Sequence, residues 1–224
     1  MNNKTNYNEF AQEYAQETQK LEDNVRKHFY ALLPTNLDRK LLLDVGCGSG
    51  HDAEHYANCG AKVCGIDISD KEIAMTQRKN CGSFVVGDMN DLPYADGVFD
   101  IVTSFYALQA SNNVSQTLNE IIRVAKSGAT ILILTKHPFR NLLEGYINDN
   151  KLDYYENRNV TSFIFNKSIK LSEPGHTIME YLHNSILDKV QLDLLEENTD
   201  FPASDQVIKG MIYPTYMILR FKKK

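Results

Sequence analysis

The chain has 224 residues, 42% hydrophobic and 24% charged, which suits one globular α/β domain with a small insertion and excludes a fibrous or disordered chain. Its net charge of −5 argues against sequence-independent nucleic-acid binding, and the terminal Phe221-Lys222-Lys223-Lys224 reads as a solvated strand end rather than a phosphate clamp. The four cysteines (Cys47, Cys59, Cys64 and Cys81) form no C-x-x-C pair, and no apolar leader or membrane-length run is present, so a cytoplasmic chain with reduced thiols and no metal site is expected.

Residues 7 to 33 carry Phe10, Tyr14, Leu21, Val25, Phe29 and Leu32 at mostly helical steps, which predicts one or two amphipathic helices ended by Pro34. Alternating elements follow. Strands are expected over Leu41–Val45, Lys62–Asp67, Ser83–Val86, Phe99–Ser104 and Thr130–Leu134. Helices are expected over Asp52–Asn58, Lys71–Lys79 and Val114–Val124. This β-α repetition predicts an α/β fold built on a doubly wound parallel sheet. The runs Ile101-Val102 and Ile131-Leu132-Ile133-Leu134 suit central strands covered on both faces.

The pattern then changes. Residues 139 to 175 are rich in Tyr, Phe and Asn, show no sustained helical period, and read as an insertion over the site. Within them Asn159–Leu171 alternates well enough for a strand or hairpin. A helix over about Thr177–Leu187 and strands over about Val190–Glu196 and Tyr213–Phe221 close the domain.

The most informative stretch is Asp44-Val45-Gly46-Cys47-Gly48-Ser49-Gly50, a buried strand running into a glycine turn and then a helix. Glycines there let a ligand lie against bare main chain. Asp67 ends the second strand, where an acid accepts hydrogen bonds from ribose hydroxyls. Asp88, beside Met89 after the third strand, suits an adenine amino group. The fourth strand ends at Ser104, on the same crevice. A NAD fingerprint wants G-x-G-x-x-G opening a helix toward a pyrophosphate. This chain has G-x-G-x-G with Asp44 before it and Asp52 after it, which suits a cationic ligand better. S-adenosylmethionine carries a sulfonium and an ammonium and no phosphate.

With these pieces in this order, the chain resembles the class I S-adenosylmethionine-dependent methyltransferases of the type 11, or UbiE-like, group. Leu92-Pro93-Tyr94, Phe99-Asp100 and Glu120–Ala129 also match, although Ser127 and Ala129 replace the proline and second glycine of the usual K-P-G-G. Tyr7-Asn8-Glu9-Phe10-Ala11-Gln12-Glu13-Tyr14 resembles the family's N-terminal lid. The resemblance implies a seven-stranded, mostly parallel, Rossmann-like sheet whose last strand is antiparallel, within a single domain of residues 1–224. Residues 7–33 would be the lid and 139–175 a substrate cap. It implies that Gly46, Cys47, Gly48 and Gly50 meet the methionine part of the cofactor, with Asp44 near its ammonium. Ribose would lie on Asp67, adenine near Ile68, Asp88 and Met89, and Tyr7, Tyr14 and Ser104 would complete the cofactor site. For Cys47 a small filler beside the turn is favoured over thiol chemistry.

Methyl transfer is an in-line displacement that needs alignment and a place for a proton. His137, just past the fifth strand, Tyr106 after the fourth, and His176 in Gly175-His176-Thr177 are the catalytic candidates. Each has a structural alternative: turn fixing for His137, pocket wall for Tyr106, helix capping for His176. Phe139, Leu142, Tyr146, Tyr154, Tyr155, Phe163 and Phe165 either line an apolar acceptor pocket or merely pack the insertion. The expected reaction moves a methyl group to O, N or C of a small molecule, leaving S-adenosylhomocysteine, in a monomer or homodimer. The rivals are an RNA or tRNA methyltransferase, a catalytically silent S-adenosylmethionine binder and a NAD-dependent reductase.

Overall fold

The computed structural model describes residues 3–20, 23–150, 153–156, 159–164, 169–199 and 208–224, with the side chains of 3–6, 14, 17–20, 23 and 164 outside that description. Two helices, α1 (Asn3–Lys20) and α2 (Asp23–Ala31), precede the sheet. Then come β1 (Leu41–Val45), α3 (His51–Asn58), β2 (Lys62–Asp67), α4 (Asp70–Gln77), β3 (Gly82–Val86), β4 (Phe99–Phe105), α5 (Val114–Val124) and β5 (Ala125–Lys136). A short 3-10 turn, Leu108–Ala110, lies between β4 and α5. After β5 follow α6 (Pro138–Asp149), β6 (Asn159–Ile164), β7 (Ile169–Pro174), α7 (Ile178–Tyr181), α8 (Asn184–Leu187), β8 (Val190–Asn198) and β9 (Tyr216–Lys223).

Seven strands form one sheet in the order β3-β2-β1-β4-β5-β9-β8, while β6 and β7 pair as a separate antiparallel hairpin. The first five strands are parallel, and β9 runs antiparallel to both β5 and β8. The expected doubly wound, mostly parallel sheet with an antiparallel last strand is therefore observed. Its order reverses direction between β1 and β4, and the crevice over their carboxyl ends is where such sheets bind ligands.

The apolar run in β5 explains its central place. Ile131 and Ile133 pack on one face with Leu118, Ile121 and Ile122 of α5. Leu132 and Leu134 pack on the other with Phe29 of α2 and Ala53 and Tyr56 of α3. Strand alternation thus turns a continuous apolar run into two cores.

Three segments differ from the sequence reading. The fifth strand starts at Ala125 rather than Thr130, with its pairing to β4 shifted between Phe99 and Ile101. The start of the presumed irregular insertion is a helix, α6. The helix expected over 177–187 is broken in two, because His183 leaves the helical region and its ring accepts the Ser185 amide, capping a second turn.

Candidate active site

The glycine turn has the backbone that its residues imply. Gly46 has φ 77° and Gly50 φ 76°, the left-handed region. A Cβ on Gly46 would stand 2.2 Å from the Ala107 Cβ, and one on Gly50 would stand 2.4 Å from Thr76 Cγ2. The turn is pressed between the loop after β4 and helix α4, which leaves no room for side chains. Asp67 holds it in place: Gly48 N–H donates to Oδ2 at 2.9 Å and Ser69 N–H to Oδ1 at 2.9 Å. Ser104 is fully buried and donates to the Val45 carbonyl at 2.8 Å, so it braces β1 against β4 behind the turn. Cys47 is buried with Sγ beside Gly65, where a Cβ would come within 2.9 Å. Burial, then the charge of Asp67, pushes its thiol well up, so it is a filler.

Around this turn the charges are unbalanced. Asp44 is 2% exposed and accepts from Thr103 Oγ1 at 3.1 Å. Burial first, then repulsion from Asp52, and also from Asp67, holds its carboxyl well above the ordinary range. Glu72, on α4, is 3% exposed, and neither carboxylate oxygen has a hydrogen-bond partner. Burial, followed by the neighbouring Asp67, pushes it up to about 8. Asp52 is different. Arg26 Nε donates to it at 2.9 Å and the Tyr30 hydroxyl at 2.6 Å. Its charge, read in the sequence as an attraction for a cationic ligand, is balanced instead by a guanidinium brought in by α2. The remaining buried carboxylates suit a cation and oppose a pyrophosphate.

Residues 43–133 match the family model described as a methyltransferase domain. Over that stretch the chain is similar to the type 11 class I S-adenosylmethionine-dependent methyltransferases. Among curated relatives, ajmaline N-methyltransferase of Rauvolfia serpentina is 37% identical over 50% of this chain and 42% of its own. Demethylmenaquinone methyltransferase of Renibacterium salmoninarum is 33% identical over 47% of each. The chain therefore spans less than half the length of these relatives. A solved structure from Listeria monocytogenes, assigned to the S-adenosylmethionine-dependent methyltransferases, superposes with a TM-score of 0.72 at 20% identity over 88% of this chain and 96% of its own. That likeness confirms the fold. S-adenosylmethionine is the cofactor of this family, and the carboxylates around Gly46–Gly50 fit its cationic groups.

Asp88 is exposed just after β3, with Oδ1 accepting from the Asn90 amide and side chain. Ile68 is half-buried beside Asp67, and Met89 packs against the core under Leu92. Helix α1 reaches across the crevice. Ser69 Oγ donates to Asn8 Oδ1 at 2.6 Å, and Asn8 Nδ2 donates to Asp70 Oδ1 at 2.8 Å. On its other side the Tyr7 hydroxyl donates to Glu173 Oε1 at 3.2 Å. Tyr7 thus contacts the hairpin rather than the glycine turn. The Tyr14 side chain lies outside the described residues.

The three catalytic candidates part company. His137 is 2% exposed and both ring nitrogens are engaged: Nδ1 accepts the Phe139 amide at 3.0 Å, and Nε2 meets Glu197 Oε1 at 2.7 Å. Burial draws its pKa down while Glu197 opposes. The geometry gives it the turn-fixing role, as the cap of α6, and offers neither nitrogen to the crevice. Tyr106 has φ 49°, a strained backbone for an aromatic residue, held by its N–H donating to the Leu134 carbonyl and by Gln109 Nε2 donating to its own carbonyl. His176 donates from Nε2 to the Gln109 carbonyl at 3.2 Å, which leaves Nδ1 without a hydrogen bond, 3.5 Å from Glu180 Oε2.

Beyond β5 lies a cluster of buried charge. Lys136 contacts Glu144, Ser162 and, at 3.3 Å, Glu173, while Arg140 Nε donates to Glu144 at 2.9 Å. Burial alone would raise Glu144, but Lys136 and Arg140 bring it down to about 2. Of the aromatic set, Tyr154 and Leu142 line a pocket, Phe139 packs edge-on to Tyr213, and Tyr146, Tyr155 and Phe163 are exposed. Phe165 lies outside the described residues. Sequence reasoning missed Glu72, Arg26, Asn141 and the Glu144–Glu173 cluster. For Glu72 a signal was present: it shares the inward face of α4 with Ile73 and Thr76, a place for an apolar residue.

Proposed function

We propose that the chain transfers a methyl group from S-adenosylmethionine to O, N or C of a small-molecule acceptor. One observation carries this reading: a glycine turn flanked by uncompensated buried carboxylates, Asp44 and Glu72, with Asp67 at the end of β2. When bound, the cofactor would supply an electrophilic methyl carbon to the acceptor's lone pair, and the chain would supply a base for the acceptor's proton. Gly46, Cys47, Gly48 and Gly50 would carry the methionine part, Asp44 and Glu72 its ammonium, Asp67 the ribose, and Ile68, Asp88 and Met89 the adenine. Ser104 would act from behind, by holding the turn. His176 is the better candidate than His137 for the proton, and Tyr106 for a wall.

In this reading residues 1–224 form one domain, with 7–33 as a lid and 139–175 as the acceptor cap. Among the described residues no helix is long and apolar enough to cross a membrane. The net charge of −5 favours a dissolved small molecule over nucleic acid as acceptor, and the reading places the reaction in the cytoplasm, in a monomer or homodimer. Calorimetry with S-adenosylmethionine, S-adenosylhomocysteine and NAD tests the reading. Binding of the two methionine-derived ligands is expected; binding of NAD alone would overturn it.

A further inference from the structure

A buried glutamine sits at the centre of the turn that follows β4. The 3-10 turn Leu108–Ala110 packs against β5 and β7, and Gln109 within it is 5% exposed. Burying an amide is unfavourable unless its oxygen and nitrogen are both met, and here both are. Thr135 Oγ1, on β5, donates to Gln109 Oε1 at 3.2 Å, and Gln109 Nε2 donates to the Tyr106 carbonyl at 2.7 Å. The orientation is forced, because a carbonyl only accepts and so faces the amide nitrogen. The main chain is held as well: the Gln109 carbonyl accepts from His176 Nε2 at 3.2 Å, and the other ring nitrogen lies 3.5 Å from Glu180 Oε2.

The residue that this anchorage restrains is Tyr106. Its φ of 49° lies in the left-handed region, which disfavours a bulky L-residue. Both its N–H and its carbonyl are tied to β5. The N–H donates directly to the Leu134 carbonyl at 2.8 Å, and the carbonyl is reached through Gln109 and Thr135. The reversal at Tyr106 sets the position of Ala107. Ala107 Cβ fills the side-chain space of Gly46, 2.2 Å from where a Gly46 Cβ would stand. A continuous line of contacts therefore runs from Thr135 through Gln109, Tyr106 and Ala107 to the glycine turn.

We propose that Gln109 is a positioning residue for the crevice. By tying the Tyr106 carbonyl to β5 it holds Tyr106 left-handed and keeps Ala107 against Gly46, where the methionine part of the cofactor would lie. Naming the cofactor rests on the methyltransferase reading; the clamp rests on the hydrogen bonds alone.

The test measures S-adenosylhomocysteine affinity and amide hydrogen exchange in the full chain. Gln109→Met keeps the length of the side chain and loses both of its bonds. It should weaken S-adenosylhomocysteine about tenfold, the scale set by holding an L-residue left-handed. It should also speed exchange of the Tyr106 and Ala110 amides, which bond to Leu134 and Ala107. Adding Tyr106→Gly, since glycine takes the left-handed region freely, should restore most of the lost affinity. A glutamine that merely fills the core would lower the melting temperature of Gln109→Met and show no such rescue. A folded Gln109→Met with wild-type affinity overturns the proposal, as does one whose Tyr106 amide exchanges at the wild-type rate. So does a Gln109→Met/Tyr106→Gly pair that regains no affinity. If Gln109→Met alone does not fold, the pair is expected to fold and bind, and an unfolded pair counts against the clamp. A wild-type chain that fails to bind S-adenosylhomocysteine, while Gln109→Met still speeds exchange at Tyr106, would instead sink the methyltransferase reading and leave the clamp standing.

Discussion

The crevice at the glycine turn and the region beyond β5 handle buried charge in opposite ways. Around the glycine turn, Asp44 and Glu72 are buried without a cation of their own, and both carboxyls sit above their ordinary range. Beyond β5, Lys136 and Arg140 close on Glu144 and Glu173, and Glu144 falls to about 2. The crevice gains when a cation arrives. The region beyond β5 is already neutralised, and its charges hold α6, the hairpin and β5 together. One region is built for a ligand's charge and the other for its own walls.

Lys136→Met attacks the walls and should have the largest effect. It takes the cation from buried Glu173 and one of the two cations from Glu144, which costs about 3–5 kcal/mol by chemical denaturation. Affinity for S-adenosylhomocysteine should change far less; an equal loss in both would erase the contrast between the regions. The same cluster sets the acid limit. Glu144 has a lowered folded pKa, so its stabilisation is complete above about 4.5 and is lost as pH falls toward about 2. Acid unfolding followed by circular dichroism should lose this dependence in Glu144→Gln.

Gly46→Ala attacks the crevice. The methyl group meets Ala107 in a left-handed backbone, and the expected cost is about 2–4 kcal/mol, seen as a lower melting temperature and weaker cofactor binding. The pH response of the crevice has the opposite sign from that of the walls. Glu72 has a raised folded pKa, so its contribution is intact below about 4.5 and is lost as pH rises through about 8. Stability of the ligand-free chain should fall steadily over that range, and Glu72→Gln should flatten the slope. Binding of a cation near pH 7 should also expel a proton, read as a calorimetric heat that varies with buffer ionisation. A heat independent of buffer would remove Glu72 from the cofactor's charge partners. Asp67→Ala is the mildest, weakening S-adenosylhomocysteine by about 1–3 kcal/mol; unchanged affinity would confine Asp67 to pinning the Gly48 and Ser69 amides.

The sheet and the cofactor crevice were legible in the amino-acid order because their determinants are local. Leu41–Val45, Lys62–Asp67 and Val114–Val124 have the bounds that the apolar pattern implies, and an alternating strand or a 3.6-residue period records which face is buried. The glycine turn and Asp67 are adjacent to their strands, so position along the chain is position in the crevice. Helix α6 was not legible because its polarity is inverted. Asn141, Glu144 and Gly145 lie buried, while Tyr146 and Ile147 are exposed, so the apolar period that would announce a helix is absent. Likewise His137 and His176 look alike as lone histidines past a strand. Only Glu197 and the Phe139 amide, against the Gln109 carbonyl and the Glu180 carboxylate, separate a ring that caps a helix from one set between two acceptors. The sequence by itself determined the fold and the cofactor half, through patterns written in neighbouring residues. The polar cluster beyond β5 was decided by the tertiary structure alone, because a buried polar atom is defined by partners tens of residues away.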